Sequence, residues 1–594
     1  MEQENKKKAT APYNFVPLPG KAVESPLGEA LPKDKDGKPD YSKYKEYIKD
    51  HIKKNDAHDG YLSFEIETLT PLFIGDGTGK FFAPDGTPVI PGSTIRGMIK
   101  NYMKILTCGT MIKREDITER QLYFRDCASG NALNEYYKKR FGEEKAQPGF
   151  LAKKDGKYYI YEADATDYKF SQYADEDDAF VQPEEDASLM FNKSSYCEYT
   201  LTNGLCVQSG YFDGKKHYYK FNRVLWQKCY EVPENVLQSY RNDSSRKGTD
   251  LLKYAKNDDS EKIKLHSILK FFDGNNAHGL TFLMPCFYVI ENNEIAHFGA
   301  QENYRIQYKD SVFDRIPDTV NQENIIDFAD SLFGRKEFFA GRLFFEDAIL
   351  EDKSLKLSDP EQSKVLMTPN PTSFQLYLEQ PKENPGSENK KKRKRPLFHW
   401  DSDTVIRGYK LYWHKKNYDW KGAAGESDWK QSEGYIMQPV PAKTVFKGRI
   451  RFKNLTDIEI GALISVLSLG DSKFSDGRFK IGMGKPLGMG SIDLRCLDKK
   501  IINSTTRYST LFDINGKWET SLEDIDVLKC VKDFKDYISK KTTESDYNIV
   551  LSALNAMMSW KKVPNPQDIA YMPVGDDRFK DRIPLPYPED VIKK

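Results

Sequence analysis

From residue 482 the chain reads Gly482-Met483-Gly484-Lys485-Pro486-Leu487-Gly488-Met489-Gly490, two Gly-Met-Gly units flanking a lysine. Glycine permits positive φ and leaves backbone N–H groups uncovered, so such a loop can wrap closely around a phosphodiester backbone. It is not a Walker loop, because Pro486 follows Lys485 where Ser or Thr should bind magnesium. Nor is it a dinucleotide fingerprint, since three residues rather than two separate Gly484 from Gly488. Two further places carry reactive types. Asp76 lies in the loop Gly75-Asp-Gly-Thr-Gly-Lys80, and His414 stands in Arg407-Gly-Tyr-Lys-Leu-Tyr-Trp-His-Lys-Lys416, beside cations that depress an imidazole pKa towards general-base use. Asp85, within Pro-Asp-Gly, has the composition of a turn former.

The elements that must position these residues follow from periodicity. Residues 457–469 carry apolar side chains at helical spacing, so the Gly-rich loop leaves a helix and enters a strand beginning at 491, the reverse of a mononucleotide fold. Residues 61–69 alternate as a half-buried strand. Ser93 is a suitable N-cap for a helix over 94–106, with Ile95, Met98, Ile99, Tyr102 and Ile105 inward and Arg96, Lys100 and Lys104 forming a basic face. A helix N-terminus beside such a stripe attracts phosphate. Strands are also expected within 341–350 and 372–378, and over 443–453 with one wet, cationic face. The order is β-α-β-β-α-β, interrupted by a long weakly periodic stretch.

Composition bounds the partners. The 594 residues include 90 basic and 89 acidic side chains, so any nucleic-acid binding must be local. From Lys443 to Lys500 twelve cations face six acids. The run Lys390-Lys-Lys-Arg-Lys-Arg395 cannot be buried and reads as a solvated loop. Eight cysteines show no Cys-x2-Cys pair and none has a histidine at zinc-finger spacing, so they read as reduced thiols and no metal site is assigned. The first residues lack the apolar stretch of a signal peptide, and no apolar run approaches the roughly 20 residues of a membrane span. A cytoplasmic protein with no membrane contact is expected.

Three segments, Pro88-Val-Ile-Pro-Gly-Ser-Thr-Ile-Arg-Gly97, Leu332-Phe-Gly with Gly341-Arg-Leu-Phe-Phe-Glu-Asp-Ala348, and Lys480-Ile-Gly-Met-Gly-Lys-Pro-Leu-Gly-Met-Gly490, resemble the RAMP superfamily of CRISPR-associated proteins. Their order and spacing are similar to a backbone subunit of type III effector complexes. The resemblance implies an α+β fold with a ferredoxin-like, RNA-recognition-type core over 60–110 and 326–497 and a thumb-like loop near 380–435. Around it stand an N-terminal arm at 1–59, an insertion at 111–325 and a C-terminal extension at 498–594.

It also implies guide RNA against Ser93, Arg96, Gly97, Gly482, Gly484, Lys485, Gly488 and Gly490, where the charge of Lys100 on the same helix would add to phosphate pairing, with target RNA and neighbouring effector subunits as partners in antiviral defence. In cleaving relatives an aspartate between the first strand and first helix acts, usually with a divalent metal. Here Asp76 is the candidate, with Mg²⁺ as the cofactor, although this loop is shorter than theirs. Two other readings stay open: a stand-alone endoribonuclease processing precursor guide RNA through His414, and an adaptor subunit that does not bind RNA.

Overall fold

The structure is a computed structural model. It describes residues 8–592 apart from 55, 113–120, 128–131, 142–145, 170–187, 190–196, 202–204, 210–216, 244–249, 253–267, 275–276, 367–371, 382–396, 423–434, 510, 513–514, 519–520, 573–575, 577 and 579–580. The cationic run 390–395 and part of the expected thumb and insertion lie outside the described residues. Two compact units result. One comprises residues 1–118, 313–380 and 403–594, the other residues 119–312 and 381–402.

The first unit is built on β1 (His58–Thr68), whose alternation turns Leu62, Phe64 and Ile66 inward. After it come β2 (Val89–Ile90), α1 (Gly92–Leu106), β3 (Leu343–Phe345), β4 (Ala348–Leu350) and β5 (Val445–Leu455). Then follow α2 (Asp457–Ser468), β6 (Phe479–Lys480), β7 (Ser491–Ile502), β8 (Leu522–Asp524) and α3 (Val527–Ser539). The sheet runs β6-β7-β1-β5-β4-β2, with β3 beside β5 and β8 beside β7, all antiparallel. Its inward residues join Ile95, Ile99 and Met103 of α1 and Ile460, Leu463 and Leu467 of α2 in one hydrophobic cluster. Each such buried side chain contributes about 2 kcal/mol.

Two buried ion pairs fix the helices. In α2, Thr456 and Glu459 form a capping box. The Glu459 carboxylate also receives the guanidinium of Arg342 (Nη1 to Oε2, 2.8 Å) and the Ser331 hydroxyl at 2.6 Å. Burial lifts the Glu459 pKa, but Arg342 outweighs it and holds the carboxyl below its ordinary range. The Gly341-Arg342 motif is thus an internal tether. In α1, Lys104 pairs with buried Asp327 and donates to the Thr110 carbonyl at 3.1 Å. Burial pushes Asp327 up, yet the Lys104 ammonium and the hydrogen bonds it receives hold it at about 2.

On the opposite face of the sheet the cations of β5 are matched by acids. Arg451 meets Glu346 at 2.9 Å, Lys447 meets Glu351, and Arg449 lies 4.5 Å from the ring centroid of Tyr61. From β7, Arg495 reaches Glu65 and Glu67 at 3.0 and 2.6 Å. The local excess of cations counted along the sequence is therefore partly cancelled by neighbouring strands.

The N-terminal segment is not a free arm. Tyr13–Val16 pairs with Tyr409–Tyr412, and Ala9, Ala11, Tyr13 and Phe15 are buried. Nor is the C-terminal segment peripheral, because α3 covers α2: a Cβ on Gly461 would lie 2.0 Å from the Cys530 carbonyl. The segment at 372–378, expected as a strand, instead forms a 3-10 turn over Phe374–Leu376 with all three residues buried.

The second unit carries an eight-stranded antiparallel sheet. Its order is Glu294–Gly299, Phe282–Glu291, Gln147–Lys154, Lys157–Lys169, His217–Glu231, Leu205–Ser209, Cys197–Leu201 and Ser188–Leu189. Phe150 packs on Phe221 with centroids 5.4 Å apart, and both are fully buried. Among the described residues no helix is long and apolar enough to cross a membrane.

Candidate nucleic-acid interface

The Gly-rich loop joins β6 to β7. Gly484 (φ 68°) and Gly488 (φ 96°) bracket a 3-10 turn over Lys485–Leu487, started by Pro486 at its second position. Two glycines are required by close approach within the chain. A Cβ on Gly490 (φ 75°) would lie 1.9 Å from the Ile481 carbonyl, and one on Gly482 (φ 79°) 2.5 Å from the Phe73 carbonyl. The amides are largely committed. Met483 donates to Phe73 and Gly490 to Pro71, each at 2.8 Å, while Leu487, Gly488 and Met489 donate within the turn. The expected cradle of uncovered amides is thus reduced, because the turn needs those donors to hold itself.

Three lysine amines converge on the main chain of the loop. Lys485 Nζ donates to the Gly482 carbonyl at 2.6 Å, Lys480 Nζ to Met489 at 2.9 Å, and Lys415 Nζ to Pro486 at 2.8 Å. Among the described residues no carboxylate pairs with any of the three. Burial lowers the pKa of all three. Lys480, 7% exposed, lies well below the lysine range, with Lys415 and Lys485 adding to the effect. Lys415, half-buried, is lowered to about 8 by burial and then by Lys364.

The loop carrying Asp76 lies alongside. Phe73 binds Met483, and a Cβ on Gly75 would come 3.8 Å from Met483 Sδ. Asp76 is exposed. Its Oδ1 accepts from the amide and hydroxyl of Thr78 at 2.7 and 2.8 Å, bonds that hold the carboxyl below its ordinary range. Those contacts make a tight Asx turn. Among the described residues no three His, Cys, Asp or Glu side chains converge to hold a metal ion. Asp85 sits at φ 58° in the turn Pro84–Gly86.

The first helix serves differently from expectation. It begins at Gly92, not Thr94, and its N-cap is Pro91 rather than Ser93. The Gly92 amide donates to Asp347 Oδ1 at 2.7 Å, so a carboxylate already occupies the end expected to draw phosphate. Arg96 donates to the Phe333 carbonyl at 2.8 Å and lies 5.2 Å from the Phe333 ring centroid. Lys104 is spent on Asp327, Lys100 is half-exposed, and Ser93 and Gly97 are exposed. A Cβ on Gly97 would meet nothing within 4 Å. The first turns touch Asp347 through Gly92 and Phe333 through Arg96.

His414 is 2% exposed. Its Nε2 donates to the Arg478 carbonyl at 3.0 Å, which leaves Nδ1 to accept from the Ser491 hydroxyl at 2.9 Å. Burial, then the Lys480 charge, lowers its pKa to about 3, so the ring is neutral. Both nitrogens are used and the ring packs edge-on against Trp560, which removes it from general-base work on RNA. Lys415 and Lys480 were passed over by sequence reading. The signal for Lys415 was its place just after the buried Trp413-His414 pair, where an alternating segment ends.

Residues 65–493 match the family described as RAMPs, the RAMP superfamily. No curated protein matches the sequence. Among solved structures, a chain of the cryo-EM structure of type III-B Cmr-beta in the apo state is 13% identical. That likeness covers 74% of this chain and 97% of that one, with a TM-score of 0.18. A chain of type III-B Cmr-beta bound to cognate target RNA is 9% identical over 74% and 98%, with a TM-score of 0.16. With the family match extending from β1 into β7, the chain belongs to the RAMP superfamily.

Proposed function

We propose that the protein is a guide-RNA-binding backbone subunit of a type III CRISPR effector ribonucleoprotein, built on a ferredoxin-like core. Family membership supports it, as does the antiparallel strand order β7-β1-β5-β4 with α1 and α2 in one cluster with the sheet. The type III assignment rests on the order and spacing of the three motif segments. The observation that carries the RNA-binding part is the Gly-rich turn bearing Lys415, Lys480 and Lys485 with no described carboxylate against them. Cations without counter-charge attract phosphate regardless of base sequence, which suits a protein that delegates sequence reading to base pairing.

The test is binding of fluorescent guide-repeat RNA across a salt series. Affinity is expected to fall steeply with salt, and Lys485→Ala to weaken it with a shallower slope. Salt-insensitive association, or an unchanged Lys485→Ala, supports the adaptor reading instead. The exposed Asp76 carboxylate, next in sequence to Gly75, which approaches Met483, favours a second role, contact with target RNA at the cleavage point. Its signature is loss of target cleavage by the assembled complex in Asp76→Asn with guide affinity intact. Retained cleavage rejects that role. A stand-alone nuclease using His414 is disfavoured by that ring's burial and its two hydrogen bonds.

A further inference from the structure

The charge balance of the Gly-rich turn differs from that around two other cations of this unit. Elsewhere in this unit, buried Arg342 faces Glu459 and the mostly buried Lys104 faces Asp327. At the turn, three ammonium groups face only main-chain carbonyls. A carbonyl dipole compensates a desolvated cation less well than a carboxylate does, so the free protein holds an electrostatic deficit that an anion would relieve.

The surroundings offer no relief. Lys480 is walled by neutral His414, by Tyr102, whose hydroxyl bonds the Lys480 backbone, and by the charges of Lys415 and Lys485. Arg478, on the same strand approach, is turned to the Ser475 and Gly477 carbonyls, with Asp493 3.8 Å away. Lys364, which repels Lys415, is itself paired with Asp419. Lys415 is at the accessible end: a Cβ on Gly488 would lie 3.0 Å from Lys415 Cβ and 3.1 Å from that of Tyr418, which is 39% exposed.

Resting on RNA binding by this loop, we infer that Lys415 is the cation that exchanges the Pro486 carbonyl for an RNA phosphate, and that this capture weakens as the Lys415 amine loses its proton. Lys415 is the residue that touches the ligand. The sign follows from the lowered pKa of a base. Free protein loses the Lys415 proton as pH rises through about 8, whereas a bound phosphodiester retains it, so affinity is highest below that pH and declines above it.

The experiment is fluorescence anisotropy of the full chain with a mixed-sequence single-stranded RNA at fixed salt from pH 7 to pH 9, with melting curves for every variant. Wild type is expected to lose about tenfold in affinity over this range. Lys415→Arg, charged throughout, should bind with a flat profile at the wild-type pH 7 level. Lys415→Met should be flat at the wild-type pH 9 level. Lys364→Met removes the repelling neighbour and should move the midpoint to higher pH, a shift that loss of packing alone would not cause. A wild-type affinity unchanged between pH 7 and 9, or a Lys415→Arg profile as steep as wild type, overturns the inference while leaving RNA binding by the loop intact. Absence of binding at pH 7 overturns the RNA-binding reading itself.

Discussion

The first helix and the Gly-rich turn both cluster lysines near one end of a short backbone element, yet their electrostatics are opposite. In α1, Asp347 caps the leading amide and Asp327 absorbs Lys104. At the turn, Lys415, Lys480 and Lys485 are held by carbonyls alone. The same residue type is a structural strut in one place and an available charge in the other. The difference lies in the counter-ion, which comes from distant parts of the chain: Asp327 is 223 residues from Lys104, and Asp347 is 255 from Gly92.

Removing a strut should cost far more stability than removing an available charge. Lys104→Met strands the buried Asp327 carboxylate and is expected to cost about 3–5 kcal/mol in urea unfolding at pH 7. A loss below about 1 kcal/mol would erase the distinction. The pair also predicts an acid limb. The folded pKa of Asp327, about 2, lies below the usual carboxylate value near 4. The stability it contributes is therefore present above that higher value and lost as pH falls from about 4 towards 2. Lys104→Met should lack this limb.

Next in size is Gly490→Ala, which forces a Cβ against the Ile481 carbonyl at positive φ; about 1–3 kcal/mol and a clear drop in RNA affinity are expected. Gly97→Ala, by contrast, should stabilise by up to about 1 kcal/mol, because it removes a helical glycine where nothing lies within 4 Å. A destabilised Gly97→Ala would mean that this face is not open. The smallest effect is expected for Lys485→Ala, which loses one exchangeable hydrogen bond worth about 1 kcal/mol or less while weakening RNA binding.

Periodicity made much of this framework legible. The strands expected at 61–69 and 443–453 are β1 and β5 within about three residues, because their apolar alternation is imposed by a single buried face, and the helix expected at 457–469 is α2, which is buried nearly all round. Alternation misled at 372–378, where three consecutive residues are buried and the chain turns instead. Ser93 looked like a cap because local sequence favours it, whereas the effective acceptor, Asp347, arrives from the β3–β4 turn. Cation counts showed where positive charge is dense but not where it survives pairing. Lys415 became visible only when the fold set it on Pro486, 71 residues away. His414 was read from its basic neighbours, yet burial lowers its pKa more than they do, and the same burial removes it from substrate.

Photo-crosslinking the full chain to single-stranded RNAs of unrelated sequence, followed by peptide mapping, addresses the central claim most directly. Crosslinks from every RNA should fall on residues 482–490 and on Lys415 and fade together as salt rises. Crosslinks confined to other surfaces, with this turn unlabelled, would contradict it.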